Sequence, residues 1–190
     1  MGENRRRILD AASRLFRDKG FDAVSVAEVM KAAGLTHGGF YGHFDSKDDL
    51  IAQTIAHALP GEASDGEGAD GGDIRTYLRA YLSPEHRDDA ANGCPTAGLA
   101  ADIRHQTPSA RLAMSQGLKS QIDRVGKALP ESSPSDRRRV AIGSWAAMVG
   151  AVILARSVDD PAFADEILEQ TRIWIDDGVG MLSGPATERG

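Results

Sequence analysis

Several features that would define an enzyme are missing from this sequence. A single cysteine among 190 residues excludes an internal disulfide. The histidines are scattered, and there is no HExxH motif, Cys/His cluster, P-loop or GxGxxG motif. Without a recognisable set of nucleophile, base and orienting group, we expect no catalytic residue, no metal site and no cofactor.

Long apolar runs are also missing. No uninterrupted apolar stretch reaches about 18 residues, and the N-terminal residues do not resemble a signal peptide. We therefore expect a cytoplasmic protein that does not associate with a membrane. The composition, 41% hydrophobic and 26% charged, is typical of one or two small globular domains.

The net charge of −6 is unevenly distributed. Residues 1–59 hold 8 Lys/Arg and 8 Asp/Glu, whereas residues 60–190 hold 14 and 20. Three consecutive arginines, Arg5, Arg6 and Arg7, stand near the start. Contact with nucleic acid would therefore depend on local basic groups in the N-terminal part.

The segment from residue 35 to 44, LTHGGFYGHF, is predicted to be a helix with Thr36 as its N-cap. Phe40 and Phe44 are four residues apart, so both are expected to point into one core. Three glycines are costly in a helix, at about 1 kcal/mol each relative to alanine, but they permit close approach to another surface. The segment is therefore suited to contact with a polar partner.

A short amphipathic helix is predicted just before this segment. Ser25 and Glu28 form a capping box, and Gly34 is suited to the left-handed conformation that ends a helix. Two helices joined by a glycine turn make the helix-turn-helix pattern. The pattern alone leaves open an ordinary pair of packed helices.

Residues 5–50 resemble the DNA-binding domain of the TetR/AcrR family of bacterial repressors. The matching segments are ILDAASRLF (8–16), KGF (19–21), SVAEVMKAAGLT (25–36), GFYGHF (39–44) and SKDDL (46–50). The resemblance implies a homodimer that binds a palindromic double-stranded DNA operator and is released by a small-molecule effector. An activator with the same fold is the alternative.

The resemblance also implies which residues meet DNA. Contacts with the bases and the adjacent backbone are predicted for Thr36, His37, Gly39 and Tyr41, and Gly38 is also predicted to be a DNA-binding residue. Phosphates are assigned to Ser25, Tyr41, His43 and Lys47. A lysine in the first turn of a helix opposes the helix dipole, and a phosphate contact would explain its presence.

The rest of the chain is predicted to be all helix, about nine helices in total. Residues 1–59 would form the DNA-binding domain and residues 60–190 the effector-binding and dimerisation domain, joined by an acidic glycine-rich linker at 61–72. The later helices are predicted at 73–83, 95–105, 107–129, 133–158 and 160–182, with 84–92 irregular. The apolar side of the helix at 107–129 is predicted to hold Leu112, Met114, Leu118, Ile122 and Val125. We read no strand from the pattern.

The segment 140–155 is apolar nearly all round, so it must be covered on several sides. Either it is the core of a monomer, or a second subunit covers it. We prefer the dimer, through helices near 134–158 and 161–182, because the resembled family pairs its last two large helices in a four-helix bundle.

The effector cannot be identified from the sequence, although the resembled family binds small, mostly apolar molecules. Candidate lining residues are Tyr77, Tyr81, Cys94, Leu99, Ile103, Met114, Leu118, Trp145 and Met148. Plain core packing is the alternative for each of them.

Cys94 has a second possible role. Because Pro95 suits the first position of a helix, Cys94 is predicted at its N-cap, where free N–H groups favour a reactive thiolate. The Gly-Cys-Pro sequence is similar to that of some TetR-like repressors that sense electrophiles through this cysteine. A small buried hydrophobe is the alternative.

Overall fold

A computed structural model describes residues 2–59, 74–180 and 182. It is all-α, as predicted, and no strand occurs in these ranges. The α-helices are α1 (Gly2–Lys19), α2 (Val26–Ala32), α3 (Lys47–Ala58), α4 (Ile74–Tyr81), α5 (Pro84–Asp88), α6 (Pro95–Leu99), α7 (Pro108–Ala128), α8 (Pro134–Ser157) and α9 (Pro161–Gly180). The linker predicted at 61–72 lies outside the described residues.

Local capping chemistry explains where the helices begin. Three serine N-caps each accept a hydrogen bond from the backbone N–H three residues later: Ser25 from Glu28, Ser46 from Asp49 and Ser133 from Asp136. Gly20 and Gly34 follow α1 and α2 with φ of +79° and +70°, a conformation that glycine adopts without steric cost. The predicted start of α2 at Ser25, its predicted end at Gly34 and the predicted start of α8 are confirmed.

Three details of the predicted helices are wrong. The segment from His37 to Gly42 is a 3-10 helix rather than an α-helix, and within the described residues the Thr36 side chain makes no capping bond. Pro84–Asp88 is helical although 84–92 was predicted to be irregular. The helix predicted at 95–105 is divided into α6 and a 3-10 turn at Ile103–His105.

The chain folds into two compact units, and each unit is built from two separate stretches of the sequence. The first comprises Met1–Ser64 and Asp89–Lys119, and the second comprises Asp65–Asp88 and Ser120–Gly190. Residues 89–119 therefore pack with the N-terminal helices, although part of the second unit precedes them. The functional division at residue 59 stays a prediction.

The first unit is built on α1, which packs against α2, α3 and α6. Its core combines residues of the predicted DNA-binding domain, such as Phe16, Phe40 and Ile55, with Leu99 of α6 and Met114 of α7. All five side chains are at most 3% exposed. One continuous apolar core therefore joins the helix-turn-helix to the start of α7.

The second unit is organised by α8, which packs against α9 and α5. One face of α8 is buried within the unit and includes Trp145, Met148 and Val152. By length and composition α8 is apolar enough to cross a membrane, a test that core helices also pass, and 44% of its apolar window is buried.

One residue of the apolar side predicted for α7 is misplaced. Leu112 is 59% exposed, whereas Met114 and Val125 are each 3% exposed. The prediction for Leu112 is therefore wrong. The position belongs to the solvent-facing side of α7 within the described part of the chain.

Candidate nucleic-acid interface

The 3-10 helix His37–Gly42 is here called the recognition segment. Two buried phenylalanines fix it to the core of the first unit. Phe40 and Phe44 are 1% and 2% exposed, and their rings stack with centroids 5.6 Å apart. The intervening Tyr41 is 71% exposed, with its ring edge-on to Phe40 at 5.2 Å. Aromatic packing thus holds the backbone while the polar residues of the segment face outward.

The exposed surface of the recognition segment carries most of the predicted base-contacting residues. Thr36, His37, Gly38, Gly39 and Tyr41 are all exposed. The Tyr41 hydroxyl, the Thr36 hydroxyl and the His37 ring can all donate hydrogen bonds to base edges or phosphate oxygens. The structure therefore leaves all five residues accessible within one short segment, and their contacts with DNA stay a prediction.

The glycines of the recognition segment differ in their surroundings. A Cβ atom at Gly38 or Gly42 would meet no described atom within 4 Å, whereas one at Gly39 would lie 3.8 Å from Met30 Cε. The described part of the protein therefore does not require glycine at position 38 or 42. An approaching partner surface is a physical reason for a bare backbone there.

The turn before the segment is closed by backbone bonds and covered by an arginine. The Leu35 N–H donates to Met30 O at 2.9 Å, and Gly34 has the left-handed conformation. A Cβ at Gly34 would lie 2.8 Å from Nη2 of Arg7, so the guanidinium rests directly on the turn. The turn between α2 and the recognition segment is therefore packed against the side chain of Arg7 from α1.

Two of the predicted phosphate contacts, Ser25 and Lys47, lie at helix N-termini. Ser25 and Ser46 cap α2 and α3, and Lys47 is the first residue of α3. Ser25 is exposed, whereas His43 and Lys47 are half-buried. Helix N-termini present free N–H groups to anions, so these positions are suited to phosphate oxygens.

Two interactions that sequence reasoning missed involve Arg5 and Lys19. The Arg5 guanidinium donates to Gln53 Oε1 of α3 and lies over the Phe44 ring, 5.6 Å from its centroid. Lys19 pairs with Glu28 at 2.6 Å, linking the end of α1 to α2. The Lys19 hydrogen bond lowers the pKa of Glu28 and raises the pKa of Lys19. Neither pairing has a short-range signal in the sequence.

The predicted effector residues are divided between the two units. Leu99 and Met114 belong to the core of the first unit, with Ile103 and Leu118 packed against it. In the second unit the Tyr81 ring lies 6.0 Å from Tyr77 and 5.7 Å from Trp145, and Met148 is fully buried one turn beyond Trp145. The assignment of all these residues to an effector site stays a prediction.

Cys94 occupies the predicted N-cap position of α6 in the first unit and is 8% exposed. Arg17 of α1 lies nearby, with its Nε donating to Ala91 O at 2.7 Å. Burial lowers the pKa of Arg17, and the Coulombic interaction with Cys94 opposes that shift. Arg17 is 77 positions earlier in the sequence, so no local pattern could indicate this neighbour.

Comparison with known proteins places the helix-turn-helix in a family. Residues 8–54 match the model of bacterial regulatory proteins of the tetR family. The transcriptional regulator AcrR of Shigella flexneri is 47% identical over 51 residues, which are 27% of this chain and 24% of AcrR. The identity is therefore concentrated in the DNA-binding part.

Other relatives match over more of the chain. The transcriptional regulator TtgR of Pseudomonas putida is 25% identical over 95% of this chain and 91% of its own length. The solved structure of the reduced form of Escherichia coli NemR shares the fold, with a TM-score of 0.71, 22% identity, and coverage of 97% of this chain and 99% of NemR. The match over residues 8–54 and the similarity to these regulators support a TetR-family helix-turn-helix transcriptional regulator.

Proposed function

We propose that this regulator is a repressor that binds a palindromic operator as a homodimer and leaves it when a small-molecule effector binds. The observation that carries the proposal is the recognition segment, whose exposed polar and glycine residues are mounted on buried Phe40 and Phe44. Such a segment fits a major groove, where polar side chains reach base edges. The relative NemR of Escherichia coli, 26% identical over 67% of each chain, is named a repressor.

Exposed apolar side chains on α8 and α9 support the dimer. Ile142, Ile153 and Leu154 of α8 and Phe163, Ile173 and Trp174 of α9 are 38–63% exposed. Large apolar side chains concentrated on two packed helices are typical of a protein interface. To bind a palindrome, the two copies of such a dimer would need their recognition segments in successive major grooves, about 34–36 Å apart.

The core of the first unit suggests how an effector could act on DNA binding. Leu99 of α6 and Met114 of α7 lie in the same apolar cluster as Phe16 of α1 and Ile55 of α3. Close-packed interiors transmit displacement because they contain few voids. An effector that shifts α6 or α7 would thus reorient the helices that carry the recognition segment.

Footprinting with the purified protein tests the proposal. We expect a protected palindrome upstream of the regulator's own gene or of a neighbouring gene, with two half-sites about one helical turn apart. Transcription from that promoter should rise when the gene is deleted, whereas an activator would give a fall. Absence of any protected site in these regions would refute the proposal.

A second candidate function, an electrophile sensor acting through Cys94, is favoured by the position of this thiol. The sulfur lies at the start of α6, beside Arg17, in the unit that contains the helix-turn-helix. The thiolate would add to the β-carbon of a conjugated carbonyl compound, forming a C–S bond while the α-carbon takes up a proton. The adduct would add bulk where Arg17 packs closely against Gly98. A Cβ added at Gly98 would lie 3.3 Å from Arg17 Cγ.

Cysteine substitution separates the sensor from a ligand-binding repressor. Wild-type protein and Cys94→Ser are incubated with a quinone or an α,β-unsaturated aldehyde before operator binding is measured. If Cys94 is the sensor, only the wild type should release DNA and gain the mass of the adduct. Equal release by both proteins, or by neither, would assign Cys94 a structural role.

A further inference from the structure

Four aromatic side chains of the second unit form a cluster in which Tyr81 contacts each of the other three. The Tyr81 ring lies 5.7 Å from Trp145 at 58°, 4.5 Å from His86 and 6.0 Å from Tyr77. Tyr77 and Tyr81 belong to α4, His86 to α5 and Trp145 to α8. Three helices thus contribute aromatic rings to one region of this unit.

Trp145 has an unused hydrogen-bond donor at this position. The residue is 5% exposed, and its indole Nε1–H is buried without a hydrogen-bond partner among the described residues. An indole nitrogen can only donate, and a buried tryptophan usually finds an acceptor. By contrast, the neighbouring His86 is satisfied, with Nδ1 2.6 Å from Tyr81 O.

The side chains one turn from Trp145 on α8 are apolar. Ala141 and Met148 lie on either side of it and are 1% and 0% exposed. A buried donor among apolar and aromatic groups is the usual composition of a small-molecule site, in which a few polar groups orient an apolar ligand. Met148 adds a flexible, polarisable side chain to these surroundings.

We propose that the effector is a compact planar molecule, aromatic or conjugated, with a hydrogen-bond acceptor such as a carbonyl oxygen that accepts from Trp145 Nε1–H. The inference rests on the proposed function, for which it names the chemical class of the effector. Flat ligands match rings that pack edge-on or offset. A molecule with the same shape but no acceptor would leave the indole donor unsatisfied and bind more weakly.

Matched pairs of molecules test this inference without DNA. The pairs are 1-indanone with indane and 9-fluorenone with fluorene, which differ only in a carbonyl group. Binding to the full-length protein is measured by calorimetry and thermal shift. We expect the ketone of at least one pair to bind about tenfold more tightly than its hydrocarbon, the factor that one hydrogen bond contributes.

Two variants identify the donor. Trp145→Phe keeps an aromatic ring and removes the N–H, so the ketone should lose its advantage over the hydrocarbon. Trp174→Phe should retain that advantage, and it leaves Trp145 as the only tryptophan of the two in the sequence. In this second variant, the indole proton signal in a nitrogen-15 correlation spectrum should move downfield with the ketone and not with the hydrocarbon.

The inference is overturned if neither ketone binds better than its hydrocarbon, if Trp145→Phe retains the preference, or if the indole signal does not respond. The spectrum uses the native Trp145, so poor folding of Trp145→Phe would not prevent a decision. Operator binding is measured separately. If the protein binds an operator but does not prefer the ketones, this inference alone is refuted. If it prefers a ketone but binds no operator, the proposed repressor function is refuted.

Discussion

At the scale of single residues, the recognition segment separates structural from functional side chains. Phe40 and Phe44 are buried and stacked, whereas Tyr41 between them is 71% exposed. The two phenylalanines contribute to stability through burial, and the exposed residues are free to contact a partner. Substitutions on the exposed surface should therefore change DNA binding more than folding.

Lys47→Ala should weaken operator binding by about tenfold on every sequence, because a phosphate contact carries no base information. The slope of log affinity against log salt should decrease by about one unit. Fluorescence anisotropy over a salt series measures both quantities. Lys119→Ala, an exposed lysine on α7, is the charge-matched control and should bind like wild type. An unchanged slope for Lys47→Ala would exclude a phosphate contact.

Gly38→Ala should weaken operator binding by about tenfold or more without loss of stability. A Cβ there has open space among the described residues, so the free-energy change of folding should be neutral or favourable by about 0.4–1 kcal/mol. The matched control is Gly42→Ala, equally open but not among the predicted contacts, which should bind within a few-fold of wild type. Normal binding by Gly38→Ala would show that the backbone at this position does not approach DNA closely.

At the scale of helices, α7 contains two glycines with opposite surroundings. A Cβ at Gly117 would lie 2.4 Å from Leu59 Cβ, within the first unit. A Cβ at Gly126 would lie 3.7 Å from Ala141 Cβ, an ordinary contact in the second unit. The close packing of α7 against the end of α3 therefore requires glycine at position 117. Position 126 has no such requirement.

Alanine at these two positions should have opposite effects on stability. Gly117→Ala should lower the free energy of unfolding by about 1–3 kcal/mol because it overpacks the contact with Leu59. Gly126→Ala should raise it by up to about 1 kcal/mol through helix propensity. Urea denaturation of both variants measures the difference. Equal stability of the two would contradict the close contact between α7 and Leu59.

The ion pair between α1 and α2 makes a small, pH-dependent contribution. Because Lys19 lowers the pKa of Glu28, the stabilisation is present above the ordinary pKa of glutamate and is lost as the pH falls through the lowered value. Because the pKa of Lys19 is raised, it is also lost at high pH, as the lysine deprotonates. The Lys19 and Glu28 side chains are 45% and 35% exposed, so solvent screens the pair and the effect is small.

Replacement of Lys19 by methionine tests the sign of this dependence. Lys19→Met should lower the urea midpoint slightly at neutral pH, and the difference from wild type should disappear in acid as Glu28 becomes protonated. Glu28→Gln should behave in the same way. A difference that grows as the pH falls would contradict the assigned pairing.

At the scale of the whole molecule, α8 presents different residues on its two faces. Trp145, Met148 and Val152 are buried within the chain, whereas Ile142, Ile153 and Leu154 are exposed. A Cβ at Gly150 would meet no atom of the described residues within 4 Å, so the single chain can accommodate a side chain there. Charge placed on the exposed face should therefore disrupt association and leave the fold of each chain intact.

Leu154→Glu and Gly150→Glu should both convert the proposed dimer to a monomer, because a charge buried at an interface without a partner is costly. Leu112→Glu is the matched control: Leu112 on α7 is 59% exposed and Leu154 is 58% exposed, but only Leu154 lies on the predicted interface. Size-exclusion chromatography with light scattering and circular dichroism measures assembly and folding. A folded, dimeric Leu154→Glu protein would place the interface elsewhere.

The sequence by itself determined the features that depend on residues close together in the chain. Ser25 and Glu28 predicted the start of α2, Gly34 its end, and the spacing of Phe40 and Phe44 the buried side of the next segment. Capping bonds, left-handed glycines and four-residue spacing act within one or two turns. The resemblance over residues 5–50 then indicated the family from the same segment.

Only the tertiary structure decided which distant residues meet. It placed Arg17 beside Cys94, Arg5 on Gln53 and Phe44, and Gly117 against Leu59. It also assigned Leu99 and Met114 to the core beneath the helix-turn-helix and left Trp145, in the other unit, with a donor unpaired among the described residues. The physical reason is that helix periodicity predicts which side of a helix is buried, whereas the partner that buries it depends on how separate helices pack.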